Sequence, residues 1–199
     1  MQKPKLLIVT GPQGSGNHLF SKILSKHPLV QGWRMQSYWE GHHTEPFNDY
    51  WQNPNNLANF DWTHQYYFTS ISCPYVRDKK LQTPKYQEFI ECASKYADIK
   101  VAIIGRDKTI LNVQQTRVRK QPTTSIALDA FEYLFRLDHV FISQELYQLY
   151  GNAYLQSVSK QLDFPIAYQA IKEDANSKYI NTIVEQPLDL EVFKACKES

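Results

Sequence analysis

The stretch best suited to chemistry is residues 6 to 18, LLIVTGPQGSGNH. Leu6, Leu7, Ile8 and Val9 form a short apolar run, and Gly11, Gly14 and Gly16 follow it. Leu19, Phe20, Ile23 and Leu24 then recur at the spacing of one helical face. This order reads as a buried strand, a glycine-rich turn and a helix start. Glycines let the backbone bend tightly, so that several N–H groups converge on one point. The helix N-terminus adds partial positive charge there, and the site suits a phosphate or a sulfate.

Gly11 and Gly16 stand in register with the phosphate-loop pattern G-x-x-x-x-G-K-[ST]. Two positions depart from it. Asn17 replaces the lysine that reaches terminal phosphates, and His18 replaces the hydroxyl that holds magnesium. Both departures argue against an ordinary ATPase or kinase.

The elements that must position this loop follow from the rest of the chain. His27-Pro28 closes the first helix, because proline cannot continue it and restricts its predecessor. Residues 31 to 68 are rich in aromatics, Asn and His, hold all four tryptophans (Trp33, Trp39, Trp51, Trp62), and lack helical periodicity. The expectation is an ordered insertion over the loop face that touches an acceptor. Tyr66 to Ser72 reads as a strand ended by Pro74, and Lys85 to Tyr96 as an amphipathic helix. Val101 to Gly105 reads as a second central strand, with Arg106-Asp107 and a helix to about Arg119 after it. Thr123 or Thr124 can cap the next helix, whose inward face would carry Ile126, Ala130, Phe131 and Leu134. His139 to Ile142 is a third strand, and a helix runs from about Asn152 to Leu162. Strands alternating with helices imply an α/β domain of three layers, with a mostly parallel central sheet flanked by helices. The 199 residues suit one domain.

Composition narrows the function classes. A formal charge of +2 gives no case for nucleic acid or a membrane surface as partner. No apolar run is long enough to span a bilayer, and the N-terminal apolar stretch is too short for a signal peptide. Cys73, Cys92 and Cys196 are odd in number and far apart, which fits free thiols in a reducing cytoplasm better than disulfides or zinc.

Three runs carry a family resemblance. GSGNHLFSKILSKHPLV resembles the first signature of the PAPS-dependent sulfotransferases: a serine–glycine turn, a leucine-rich helix, and His-Pro before an aliphatic residue. VAIIGRDKTILNVQQTR resembles the second, a buried strand ending in arginine and a helix. HVFISQELYQLYGNAYLQSVSKQLDFP is similar to a third. The resemblance implies a P-loop-like fold, 3′-phosphoadenosine 5′-phosphosulfate as co-substrate, and sulfonyl transfer to a hydroxyl or amine, with no metal. Loop amides of Gln13, Gly14, Ser15, Gly16, Asn17 and His18 would hold the 5′ side of the donor. Arg106 would meet the 3′-phosphate with a charge-assisted, bidentate contact. Gln114 stands where the family has a serine on that phosphate, and Arg117 is a further candidate. Gly14 stands where many members carry lysine or arginine, a cation that stabilises charge on the leaving phosphate. His18, Lys22, Arg77, Lys79 and Lys80 are possible substitutes.

The acceptor needs a base to take its proton. The resemblance puts Glu40 first, since it follows His-Pro at roughly the spacing where related carbohydrate sulfotransferases carry a glutamate; His42 and His43 come next, and an imidazole pKa suits proton transfer near neutrality. Tryptophan faces stack on sugar rings and flat phenols, so the expected acceptor is a carbohydrate or another hydroxylated small molecule. Two other readings stay open. One is a nucleotide or polynucleotide kinase, and the other a non-catalytic relative that keeps the anion loop.

Overall fold

A computed structural model describes residues 3–32, 47–77 and 80–168. The chain divides into two units, Met1–Gln169 and Ala170–Ser199, and every described residue lies in the first.

The buried run Leu6–Val9 is the middle of strand β1 (Lys5–Pro12). Four apolar residues in a row bury both faces of a strand, which is how a strand inside a parallel sheet reads. β1 pairs in parallel with β3 (Tyr66–Cys73) on one side and with β6 (Asp98–Gly105) on the other. β2 (Val30–Gly32) pairs with β3, and β7 (His139–Ser143) with β6, both also in parallel. The sheet order is β2-β3-β1-β6-β7. A two-stranded antiparallel ribbon, β4 (Tyr75–Arg77) and β5 (Lys80–Gln82), follows β3 directly.

Helices cover both faces of the sheet, so the domain is a three-layer α/β structure. Strand side chains alternate between faces. Leu6 and Ile8 point into one core with α2 (Tyr86–Ala93) and α4 (Thr124–Phe131). Leu7 and Val9, equally buried, are not part of that core. α1 (Asn17–Leu24) and α5 (Gln144–Leu162) pack on the sheet, and they meet at Phe20 and Tyr147, 5.5 Å between ring centroids. α3 (Lys108–Arg119) links β6 to α4.

The described part of the aromatic segment behaves differently from the expectation. Residues 47–65 fold against α2, with a 3-10 turn at Pro54–Asn59. Phe47, Trp51, Phe60 and Trp62 join Tyr67 and Phe89 in the core instead of offering open faces to an acceptor. Trp51 stacks on Phe89 at 3.8 Å and 11°, and its indole N–H donates to Thr69 Oγ1 at 3.2 Å. Trp33 and Trp39 lie outside the described residues.

Two helix readings also shift. α5 starts at Gln144, eight residues before the expected Asn152, because Ser143 caps it: its Oγ accepts from the Leu146 amide at 3.1 Å. Gly151, with φ 49° and ψ −122°, kinks the helix in the middle and hides the first turns from a periodicity reading. The buried face of α4 is Ala127 and Phe131, while Ile126 is half-buried. Thr123 makes no side-chain cap.

Trp51→Ala is expected to destabilise the domain by about 3–5 kcal/mol. Urea unfolding of the variant checks this, and a loss near zero would place Trp51 outside the core.

Candidate functional site

All five parallel strands end at one edge, and β1 sits between its partners there. The register sets Pro12 opposite Cys73 of β3, and Thr10 opposite Ile103 of β6. The chain leaves β1 towards β3 and β2 and leaves β6 towards β7, so connections diverge on either side of the β1–β6 pair. Such a switch point is where open α/β sheets bind ligands.

The glycine loop occupies that point. Ser15 N–H donates back to Pro12 O at 3.1 Å and closes a tight turn. Gly14 and Gly16 follow the left-handed path, with φ 88° and 106°. Gly16 is the N-cap of α1 and provides no side chain to satisfy the first amides. Among the described residues, the amides of Gly14, Gly16 and Asn17 donate to no protein acceptor. N–H groups left without a protein acceptor at a helix start suit an anion. The Ser15 amide, expected among the binding donors, is instead spent on the turn.

Side chains from the loop point inwards. Asn17 Nδ2 donates to Gly11 O at 3.1 Å, Pro12 O at 3.2 Å and Ser72 Oγ at 3.0 Å. Its amide therefore ties the loop to the end of β3, and only its backbone N–H is placed for a ligand. Gln13 is buried too; its carbonyl accepts from Gln115 Nε2 at 2.8 Å, and its Oε1 from Thr123 Oγ1 at 3.4 Å. Gln115 is 2% exposed and uses both ends, since its Oε1 accepts from Thr123 N at 2.7 Å and Thr124 Oγ1 at 3.1 Å. The loop is thus bolted to the start of α4. Beneath it, Tyr86 OH bonds Thr10 Oγ1 at 2.6 Å, and Thr10 donates to Ile71 O at 2.7 Å. Ser15 Oγ and Gln144 Oε1, next to the loop, are buried with no hydrogen-bond partner.

Arg106 reaches this loop from the tip of β6. Its Nη1 donates to Gly14 O at 2.9 Å and to Gln114 Oε1 at 2.8 Å. The next residue, Asp107, caps α3 by accepting from Ile110 N at 3.0 Å. Asp107 N–H in turn donates to Glu145 Oε1 at 2.9 Å, which fixes the β6 tip to the start of α5. The structure therefore brings Arg106 and Gln114 against the glycine turn. Arg117 lies exposed in the last turn of α3.

Titration separates the candidate cations. Burial, and then the nearby Lys22 ammonium, hold the His18 imidazole below its ordinary value of 6.5. His18 is therefore neutral at neutral pH and is a poor standing cation for the loop. Arg77, on the β4–β5 ribbon, pairs with Asp49 at 3.6 Å. Lys79 lies outside the described residues, as do Glu40, His42 and His43. Burial pushes the Cys73 thiol up to about 11, so it is protonated and unreactive. Among the described residues no group of three His, Cys, Asp or Glu side chains could hold a metal, and no helix is long and apolar enough to cross a membrane.

Sequence reasoning missed the contacts of Gln115, Ser72 and Thr123 with the loop, because each depends on a partner far away in sequence and a polar residue on a helix or strand carries no local sign of that.

No protein-family model and no curated protein matches this chain.

Two outcomes follow. A Cβ on Gly16 would come 2.0 Å from Gln144 Oε1 at a φ of +106°, so Gly16→Ala should cost about 1–3 kcal/mol in thermal unfolding. His18 has a folded pKa below its unfolded one, so its contribution to stability is full above 6.5 and lost as pH falls towards the folded value. Denaturant titrations above and below that pH should show the fall, and His18→Gln should flatten it.

Proposed function

We propose that this chain transfers a sulfonyl group from 3′-phosphoadenosine 5′-phosphosulfate to a hydroxyl of a small molecule or carbohydrate. The observation that carries the reading is the Arg106 guanidinium turned onto the glycine loop, 2.9 Å from Gly14 O. A loop of free amides and an arginine from the next strand suit a ligand with several negative groups. The resemblance of the three sequence runs supplies the identity of that ligand.

In the transfer, the acceptor oxygen forms a bond to sulfur while the sulfur–oxygen bond to the 5′-phosphate breaks. The electron pair stays on the phosphate oxygen, and the acceptor proton passes to a base. Glu40 is the first candidate for that base, with His42 and His43 after it. The amides of Gly14, Gly16 and Asn17 hold the phosphate while its charge grows.

A kinase reading is weaker because of Asn17. Its side chain is committed to Gly11 O, Pro12 O and Ser72 Oγ, so position 17 sends nothing towards a terminal phosphate.

A thermal-shift series tests the proposal. Adenosine 3′,5′-bisphosphate at a hundred times its Kd should stabilise the fold by about 2.7 kcal/mol. ATP with magnesium should stabilise it less. A larger shift from magnesium-ATP, or none from the bisphosphate, would overturn the assignment.

A further inference from the structure

We infer that Arg106 is the cation of the glycine loop itself, and that it acts on the phosphate the loop holds and not on a separate 3′-phosphate. This rests on the reading of the loop as a donor phosphate site. It reassigns the arginine that reaches the loop from β6.

The geometry converges on residue 14. Gly14 stands immediately before Ser15-Gly16, where a basic side chain would be expected to neutralise the leaving phosphate. No such side chain exists at a glycine, and the space it would enter is taken. A Cβ built on Gly14 would lie 3.0 Å from the Gln114 carboxamide. Gln114 Oε1 accepts from Arg106 Nη1 at 2.8 Å, and the same Nη1 donates to Gly14 O at 2.9 Å. The guanidinium therefore sits on the backbone of the residue whose side chain is missing. β6, not β1, supplies the charge.

The two partners also orient each other. Arginine only donates, so the end of the Gln114 amide that faces it must be the oxygen. The carboxamide packs on the loop, with Oε1 3.0 Å and Nε2 3.4 Å from the point where a Gly14 Cβ would be. Nη1 spends both of its hydrogens on Gly14 O and Gln114 Oε1, which fixes the guanidinium against the loop. In the transfer step, the electron pair released by sulfur–oxygen cleavage lands on the loop-held phosphate, directly under the guanidinium.

Calorimetric titration with three probes separates the two placements. The probes are inorganic pyrophosphate, adenosine 5′-monophosphate and adenosine 3′,5′-bisphosphate, tested against the natural chain, Arg106→Gln and Arg106→Lys. Arg106→Gln removes the charge, and thermal unfolding of the variant checks that the fold is kept. It should weaken all three probes by about tenfold or more, since a charge-assisted hydrogen bond exceeds the tenfold increment. Arg106→Lys should stay within a few-fold of the natural chain for pyrophosphate. The inference is overturned if Arg106→Gln loses only the bisphosphate and keeps the other two at natural affinity. If none of the probes binds the natural chain, both this inference and the donor assignment fall. If pyrophosphate binds in an Arg106-dependent manner but the bisphosphate has no advantage over it, the inference stands and the sulfonyl donor does not.

Discussion

The parallel sheet imposes the main constraint on this molecule. Strands that run the same way must end at the same edge, and helices must cover both faces to return the chain. β1 has partners on both sides, with Thr10 beside Ile103 on β6 and Ile71 on β3. The loop that follows it therefore emerges between two other strand ends, and a side chain from either can reach it. Arg106 comes from one side and Ser72, through Asn17, from the other. One of the two contacts would be lost if β1 were an edge strand.

Glutamine and asparagine, rather than charged residues, build the frame of this loop. Gln13, Asn17, Gln115 and Gln144 are all at least nine-tenths buried. A buried charge needs a paired countercharge to offset desolvation, whereas a buried amide needs only hydrogen-bond partners. Gln115 satisfies this fully, with its donor on Gln13 O and its acceptor shared by Thr123 and Thr124. Gln144 Oε1 has no partner, and its nearest constraint is Gly16, which must lack a side chain to make room. Neutral groups add no charge of their own beneath the loop, which Arg106 approaches from β6. The low pKa of His18 belongs to the same pattern, since burial removes one more standing charge.

Much of the frame was readable in the chain. The apolar runs at Leu6–Val9 and Val101–Ile104 mark central strands because they bury both faces, and Gly11, Gly14 and Gly16 mark the turn because few other residues fit it. Arg106 was visible as a charge directly after a buried strand. What it would touch was not visible, since Gly14 is 92 residues away in sequence. Trp51 and Trp62 misled for a general reason: an aromatic-rich stretch without periodicity looks alike whether its rings stack on a ligand or on each other. α5 was cut short because Gly151 interrupts its pattern. Asn17 was legible as a departure from a motif, but its three inward bonds were not.

The inward turn of Asn17 bears on how this loop could be re-engineered. Restoring a lysine at position 17 would appear, on the motif alone, to convert the site into a nucleotide-hydrolysing one. In this architecture the side chain at 17 is a rivet between two strands, with its amide donating to both Gly11 and Pro12 carbonyls. An ammonium put in that pocket would be a charge buried among Gly11 O, Pro12 O and Ser72 Oγ with no countercharge beside it. A change of chemistry here would have to begin with the underside of the loop and only then reach its rim.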